Sequence, residues 1–192
     1  MQAMMMTNRT VDTMNAAAAR WDWIRRINHA LLAVSVVFQV FSSEWMTKPW
    51  REGPADTTGR LLFTLHEWAG LVAAIAAAAI FWRLLRRKEL PRTDAAGRTA
   101  LCAECRTLLL NLVSLRMPHA DSTATLARAV QVLGLLLTGW FVATGAAIWL
   151  VGAATETAHT IGGIHELGAP LLYAYLGGHI GMAVLHRLSD RG

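Results

Sequence analysis

Apolar residues collect in four long blocks, at residues 24–46, 61–85, 129–153 and 164–185, each with few polar interruptions. Crossing about 30 Å of hydrocarbon takes about 20 helical residues at about 1.5 Å each. Each block therefore predicts a transmembrane helix. Soluble helices of this composition would retain no solvated face. Between the second and third blocks, a turn-rich connector at 90–97 leads into 99–115, where apolar residues recur at near-helical spacing around Arg106 and Asn111. That segment suits a short helix lying on the cytoplasmic interface, or one packed on the loops of that face. The expected fold class is all-α: a membrane-embedded four-helix bundle of four transmembrane helices, with a short cytoplasmic interfacial helix between the second and third.

Composition agrees with this pattern. Of the 192 residues, 54% are hydrophobic and only 16% charged, against about 45–50% and about 25% in soluble domains. The charges fall in the gaps between blocks, as a bilayer requires. The chain reads as a cytoplasmic N-terminal tail at 1–20 followed by one membrane domain at 21–190. No cleaved signal segment is expected, because the first block is itself long enough to span and follows polar and small residues rather than a short basic start.

Orientation follows from lysine and arginine. Arg9, Arg20, Arg25 and Arg26 come before or at the very start of the first block, and Arg83, Arg86, Arg87, Lys88, Arg92, Arg98, Arg106 and Arg116 run from the end of the second to the third. The loop between the third and fourth has none, and Lys48, Arg51 and Arg60 of the first loop are offset by Glu44, Glu52 and Asp56. Both termini are thus expected in the cytoplasm. The net charge of +5 then reflects topology, and nucleic acid is not an expected partner.

The histidines carry the chemistry. Four of seven lie in or at the edge of apolar blocks: His29, His66, His165 and His179. An ionisable side chain in hydrocarbon costs about 2.5–3.5 kcal/mol on insertion scales, so four ask for a function. With both termini inside, His29 falls in the cytoplasmic half of its helix and His66 in the outer half of the next. On the fourth helix His165 lies near the outer surface, and His179, 14 residues on, is about 21 Å deeper on nearly the same face. His66 then shares a level with His165, and His29 with His179. Two histidines on facing helices at one level suit the axial ligation of a low-spin haem; the alternative is that they bond to each other or to backbone carbonyls. Two ligands per level are too few for zinc or copper. Gly70, one turn after His66, and Gly177, Gly178 and Gly181 around His179 leave room for a flat macrocycle or for close helix packing. Trp21, Trp23, Trp45, Trp50, Trp82 and Trp149 sit near block ends as an aromatic belt. Cys102 and Cys105 form a lone CxxC without further zinc ligands or a thioredoxin-like context, and are expected to be free thiols. His119 and His159 read as loop residues, and His186 as an interfacial one or an alternative to His179 as a ligand.

The run WDWIRRINH, with Trp21, Asp22, Arg26 and His29, resembles the start of the first helix in the bacterial cytochrome b561 and hydrogenase-type cytochrome b family. HEWAG at His66 is similar to that family's second-helix motif, and HELGAPLLYAYLGGH, from His165 to His179, to its last helix; TGAAIW at Thr144–Trp149 also fits. The resemblance covers roughly residues 20–190. The chain departs from the family at Ala30, where a tryptophan commonly follows the first ligand, and in lacking a proline before the arginine.

The resemblance implies a bacterial inner-membrane cytochrome with two haem b groups, one ligated by His29 with His179 and the other by His66 with His165. Arg26 is either a partner for a haem propionate or an ordinary positive-inside arginine. Lys48, Arg51 and Arg60 are candidates to attract an anionic substrate or a quinone headgroup. The expected function is electron transfer between a redox partner or small reductant and the quinone pool, with membrane lipid, ubiquinone and a hydrogenase-like or c-type cytochrome partner as the implied contacts. Two variants compete: an anchor subunit of a larger oxidoreductase, and a stand-alone superoxide:quinone oxidoreductase. A different class, a non-redox scaffold or haem-delivery protein, is separable by spectroscopy. No catalytic triad, P-loop or dinucleotide fingerprint suggests another reaction.

Overall fold

A computed structural model describes residues 2–50, 56–88, 90, 94–114 and 124–189, with side chains from residue 23 onward except at 112, 113, 124, 185, 186, 188 and 189. Six α-helices and no strand occur among the described residues: α1 (Gln2–Trp45), α2 (Thr57–Arg87), α3 (Ala95–Val113), α4 (Ala124–Val151), α5 (Glu156–Leu167) and α6 (Ala169–Ser189). Four stretches are long and apolar enough to cross a membrane: Trp23–Trp45, Thr57–Arg87, Thr125–Val151 and Glu156–Val184. The all-α, four-span architecture is therefore present. The N-terminal tail continues α1 as helix back to Gln2, and the expected interfacial segment is the helix α3.

The chain divides into two compact units, one of Met1–Lys48 with Pro54–Ile80 and one of Pro49–Gly53 with Phe81–Gly192. In the first, α1 and the N-terminal part of α2 form an antiparallel hairpin. Asp56 caps α2 by accepting the N–H groups of Thr58 (3.3 Å) and Gly59 (3.2 Å). The chain leaving α1 closes onto that first turn through the Thr47 N–H, which donates to the Gly59 carbonyl at 3.0 Å. Gly59 is needed there, since a Cβ would collide with the Thr47 side chain. Deeper in the hairpin, Asn28 Nδ2 donates to the Ala76 carbonyl at 3.0 Å.

In the second unit α3 docks on α4 through Glu104, which accepts the N–H groups of Thr125 (3.2 Å) and Leu126 (2.7 Å) in the first turn of α4. These hydrogen bonds, a further one from the Thr125 side chain and the nearby Arg128 outweigh the carboxyl's desolvation and hold Glu104 below the usual carboxylate range. Cys102 and Cys105 flank it on α3 as free thiols, the first exposed and the second half-buried. A turn at Gly152, with φ of 86°, closes α4 and leads to Thr155. The Thr155 Oγ1 accepts the Ala158 N–H at 3.1 Å as the N-cap of α5.

Two differences from expectation concern the fourth span. It begins at Glu156, two turns before the apolar block, because the Thr155 cap and Glu156 in the first turn start a helix that polar Thr157, His159 and Thr160 disguise in hydropathy. It is also broken into α5 and α6 at Gly168. Pro170 has no N–H for the Glu166 carbonyl, and the Gly168 N–H turns back to the carbonyls of Glu166 and His165 instead. Gly168 lies close under α4, where a Cβ would stand 3.0 Å from ring atoms of Trp140 and Phe141.

Burial is arranged as in a membrane protein rather than a soluble one. The described core consists of Ala73, Ala76, Leu84, Leu137, Ile148 and Ala158, with Ser35 and Ser42 as buried hydroxyls. The large apolar side chains face out: Val34 is 70% exposed, Trp45 75%, Leu150 74% and Leu167 74%. In water such a surface would be an extended aggregation patch, whereas lipid tails are as apolar as leucine. Trp23, Trp82 and Trp149 are likewise exposed, and the Arg86 guanidinium sits 4.8 Å above the Trp82 ring. Trp50 departs from the belt, since its ring stacks on His159 at 6.5 Å and lies against Gly162.

Candidate functional site

Each unit holds two of the four candidate histidines, at separate levels. On α1, His29 adjoins Asn28, whose bond to Ala76 fixes that level against α2. On α2, His66 lies opposite Ser42 and Gln39 of α1. Ten residues separate Ala76 from His66, about 15 Å of helix, so His29 and His66 face different depths. In the second unit His165 of α5 meets Thr144 of α4, while Tyr175 of α6 packs on Gly134 of α4. His179 stacks on Tyr175 one turn further, with centroids 5.5 Å apart and planes 10° apart. Thr144 and Gly134 are again ten residues apart, about 15 Å along α4.

The surroundings of His66 and His165 are alike. Ser42 Oγ lies 2.8 Å from His66 Nδ1, and Thr144 Oγ1 lies 2.8 Å from His165 Nδ1. A hydroxyl has one proton to donate. In Ser42 it goes to the Gln39 carbonyl at 3.2 Å; in Thr144 it goes to the Trp140 carbonyl at 2.7 Å, with Phe141 O at 3.3 Å. With the proton so placed the hydroxyl oxygen accepts from the imidazole, which puts the ring proton on Nδ1 and the lone pair on Nε2; a hydroxyl turned toward Nδ1 would give the opposite tautomer. The first placement assigns the tautomer from the hydrogen-bond network, and it is the form in which a histidine ligates iron through Nε2. On the chemistry of the donor set, His66 and His165 fit a haem. Gln39 secures the first further, its Nε2 donating to the His66 carbonyl at 3.1 Å. Phe141 meets His165 edge-on, with centroids 5.0 Å apart and planes at 79°.

Among the glycines, Gly70 takes the helix-packing role of its two expected ones. A Cβ there would stand 2.9 Å from Gln39 Nε2, so Gly70 makes room for the side chain that holds His66. At Gly177, Gly178 and Gly181 a Cβ would meet no described atom of its own unit within 4 Å, which leaves open space along α6 beside His179. Arg26 is exposed one turn before His29 on α1, and His29 is exposed while His66, His165 and His179 are half-buried. No cluster of three or more metal-binding side chains occurs among the described residues.

His159, expected in a loop, is on α5 because the helix begins at the Thr155 cap. His119, Arg51 and the side chains of Trp21 and His186 lie outside the described residues. Ser42, Thr144, Gln39, Phe141 and Tyr175 were not legible as functional residues. The available signal was weak: a hydroxyl or amide inside an apolar block, with a histidine in the next block.

The sequence model of the prokaryotic cytochrome b561 family matches residues 20–192. No curated protein and no solved structure matches the chain. The match takes in all four spans, all four intramembrane histidines and both hydroxyl partners. The chain belongs to the prokaryotic cytochrome b561 family and is a membrane b-type cytochrome of electron transfer.

Proposed function

We propose that the protein is a di-haem b cytochrome of the bacterial inner membrane, with both termini cytoplasmic, that transfers electrons between a redox partner or small reductant and the quinone pool. His66 and His165 hold the haem of the outer level, and His29 and His179 that of the cytoplasmic level. Arg26, one turn before His29, pairs with a propionate there. Haem iron supplies one-electron chemistry when bound. The protein supplies imidazole nitrogens of fixed tautomer, an apolar surround that excludes water, and cationic Lys48 and Arg60 at the outer end for a quinone headgroup. The observation that carries the reading is the pair of hydroxyl contacts at Nδ1 of His66 and His165, made in both units by unrelated sequence segments.

The test is the absorption spectrum of the purified chain. Pyridine haemochromogen should give about two haems per chain, and dithionite should give the bands of a six-coordinate b haem. His66→Ala and His165→Ala should each remove the same haem, and His29→Ala and His179→Ala the other. A chain without a Soret band refutes the reading and leaves a scaffold; four variants that all retain both haems refute the ligand set.

A further inference from the structure

A histidine that binds a metal through one ring nitrogen is oriented by whatever accepts the proton on the other, and that acceptor also raises the basicity of the ligand. In this chain the acceptors for His66 and His165 are side chains of the preceding helix. Ser42 reaches His66 from α1 across 24 residues of sequence, and Thr144 reaches His165 from α4 across 21. Neither contact depends on a loop. Ser42 is 3% exposed and anchored on its own helix by Gln39 O, while the Gln39 side chain holds the His66 backbone. Thr144 is anchored by Trp140 O and Phe141 O, and the Phe141 ring lies edge-on to His165. Backbone and hydroxyl are thus held together in the first hairpin, hydroxyl and ring in the second.

We propose that Ser42 and Thr144 are positioning residues acting on one haem only, the one held by His66 and His165, where they set the planes of both axial imidazoles and their donor strength. The inference rests on the ligand reading above. A neutral hydroxyl acceptor makes the imidazole a better donor than an unbonded ring, though a weaker one than a carboxylate partner would. A better donor favours ferric iron. Removing the acceptor should therefore raise the potential of that haem and leave the other unchanged. The ring should also turn more freely, which the low-spin ferric signal reports through the angle between imidazole planes.

The experiment uses the full chain in detergent or proteoliposomes. Thr144→Val preserves shape and removes the hydroxyl, Ser42→Ala does the same in the other hairpin, and Thr144→Ser keeps the acceptor. Redox titration, low-temperature electron paramagnetic resonance and haem retention against apomyoglobin are measured on each. Thr144→Val and Ser42→Ala should move the same one of two potentials upward, shift the g-values of that haem alone, and weaken its retention about 10–100-fold, as loss of such partners does at metal sites. Thr144→Ser should match the parent protein. If Thr144→Val and Ser42→Ala leave both potentials and both signals unmoved while His66→Ala removes one haem, the positioning role is wrong and the ligand set stands. Equal loss or equal shift of both haems marks a merely structural role and also overturns the proposal. If His66→Ala and His165→Ala leave both haems in place, the ligand reading itself has failed.

Discussion

Glu104 joins α3 to the membrane domain by one carboxylate, and that joint can be broken at known cost. Its two oxygens accept N–H groups at the start of α4, 3.2 Å from Thr125 N and 2.7 Å from Leu126 N, so it works as an N-cap supplied from another helix. Replacing an N-cap acceptor by alanine costs about 0.5–2 kcal/mol, and a negative charge at a helix N-terminus adds about 0.3–1 kcal/mol. The carboxyl is well solvated, which screens the charge, so Glu104→Ala should destabilise the α3–α4 joint by about 1 kcal/mol. Glu104→Gln keeps an acceptor without the charge and should fall between.

The pH dependence tests the charge separately. Glu104 titrates below its ordinary value of 4.5 when folded, so its contribution is present above that value. It is lost as pH falls through the lower, folded value. Limited proteolysis of the α3–α4 connection, and thermal unfolding of the detergent-solubilised chain, should show wild type and Glu104→Ala well separated at pH 7. As pH falls through the folded value the gap should shrink to that between Glu104→Gln and Glu104→Ala, because a protonated carboxyl still accepts but carries no charge. A difference that is the same at pH 7 and in acid would refute the capping charge. No difference at either pH would refute the cap.

Two further expectations concern close approach. Gly134→Ala places a Cβ 2.7 Å from Tyr175 Cζ, an overpacking of about 1–3 kcal/mol that also moves the ring stacked on His179. Gly139→Ala, on the same helix with nothing within 4 Å, should be neutral, and equal thermal stabilities in detergent would contradict the Tyr175 packing. Gly162→Ala puts a Cβ 2.6 Å from Trp50 Cζ2 and should be destabilising by a similar amount. Trp50→Ala should relieve that effect in the double variant, and strict additivity of the two changes would show that the rings do not meet there.

The spans were legible because crossing a bilayer is a demand on bulk composition, which a window of residues reports without tertiary knowledge. The start of α5 was not. Glu156, Thr157 and Thr160 lower the local hydropathy, and only the local chemistry of Thr155 as a cap reveals a helix there. Pro170 stood in the sequence as a cause of the break at Gly168, yet a continuous apolar block reads as one rod. The histidines were legible as residues out of place. Ser42 and Thr144 were not, because a hydroxyl inside an apolar block is ordinary, and its meaning depends on a register between helices that lies in no sequence window. Which of its two roles Gly70 takes was not legible for the same reason: its neighbour, Gln39, is on the other helix.

Register is what the two proposed haem levels demand of each hairpin. In the first unit the Asn28–Ala76 and Ser42–His66 contacts pin α1 against α2 at two heights. A slip by one helical turn, about 5.4 Å, would separate Ser42 from His66 without changing hydropathy at all. In the second unit Thr144–His165 and Gly134–Tyr175 do the same for α4 against α5 and α6. A hairpin with both histidines at one height could serve only one haem, whereas each unit here separates them by about 15 Å or more of helix. The proposed pairing thus makes a demand on each unit alone, and each unit meets it through polar contacts of its own. Those contacts are specific, as a membrane interior without a hydrophobic drive between helices requires, and Ser42 and Thr144 would serve both the register and the proposed ligands.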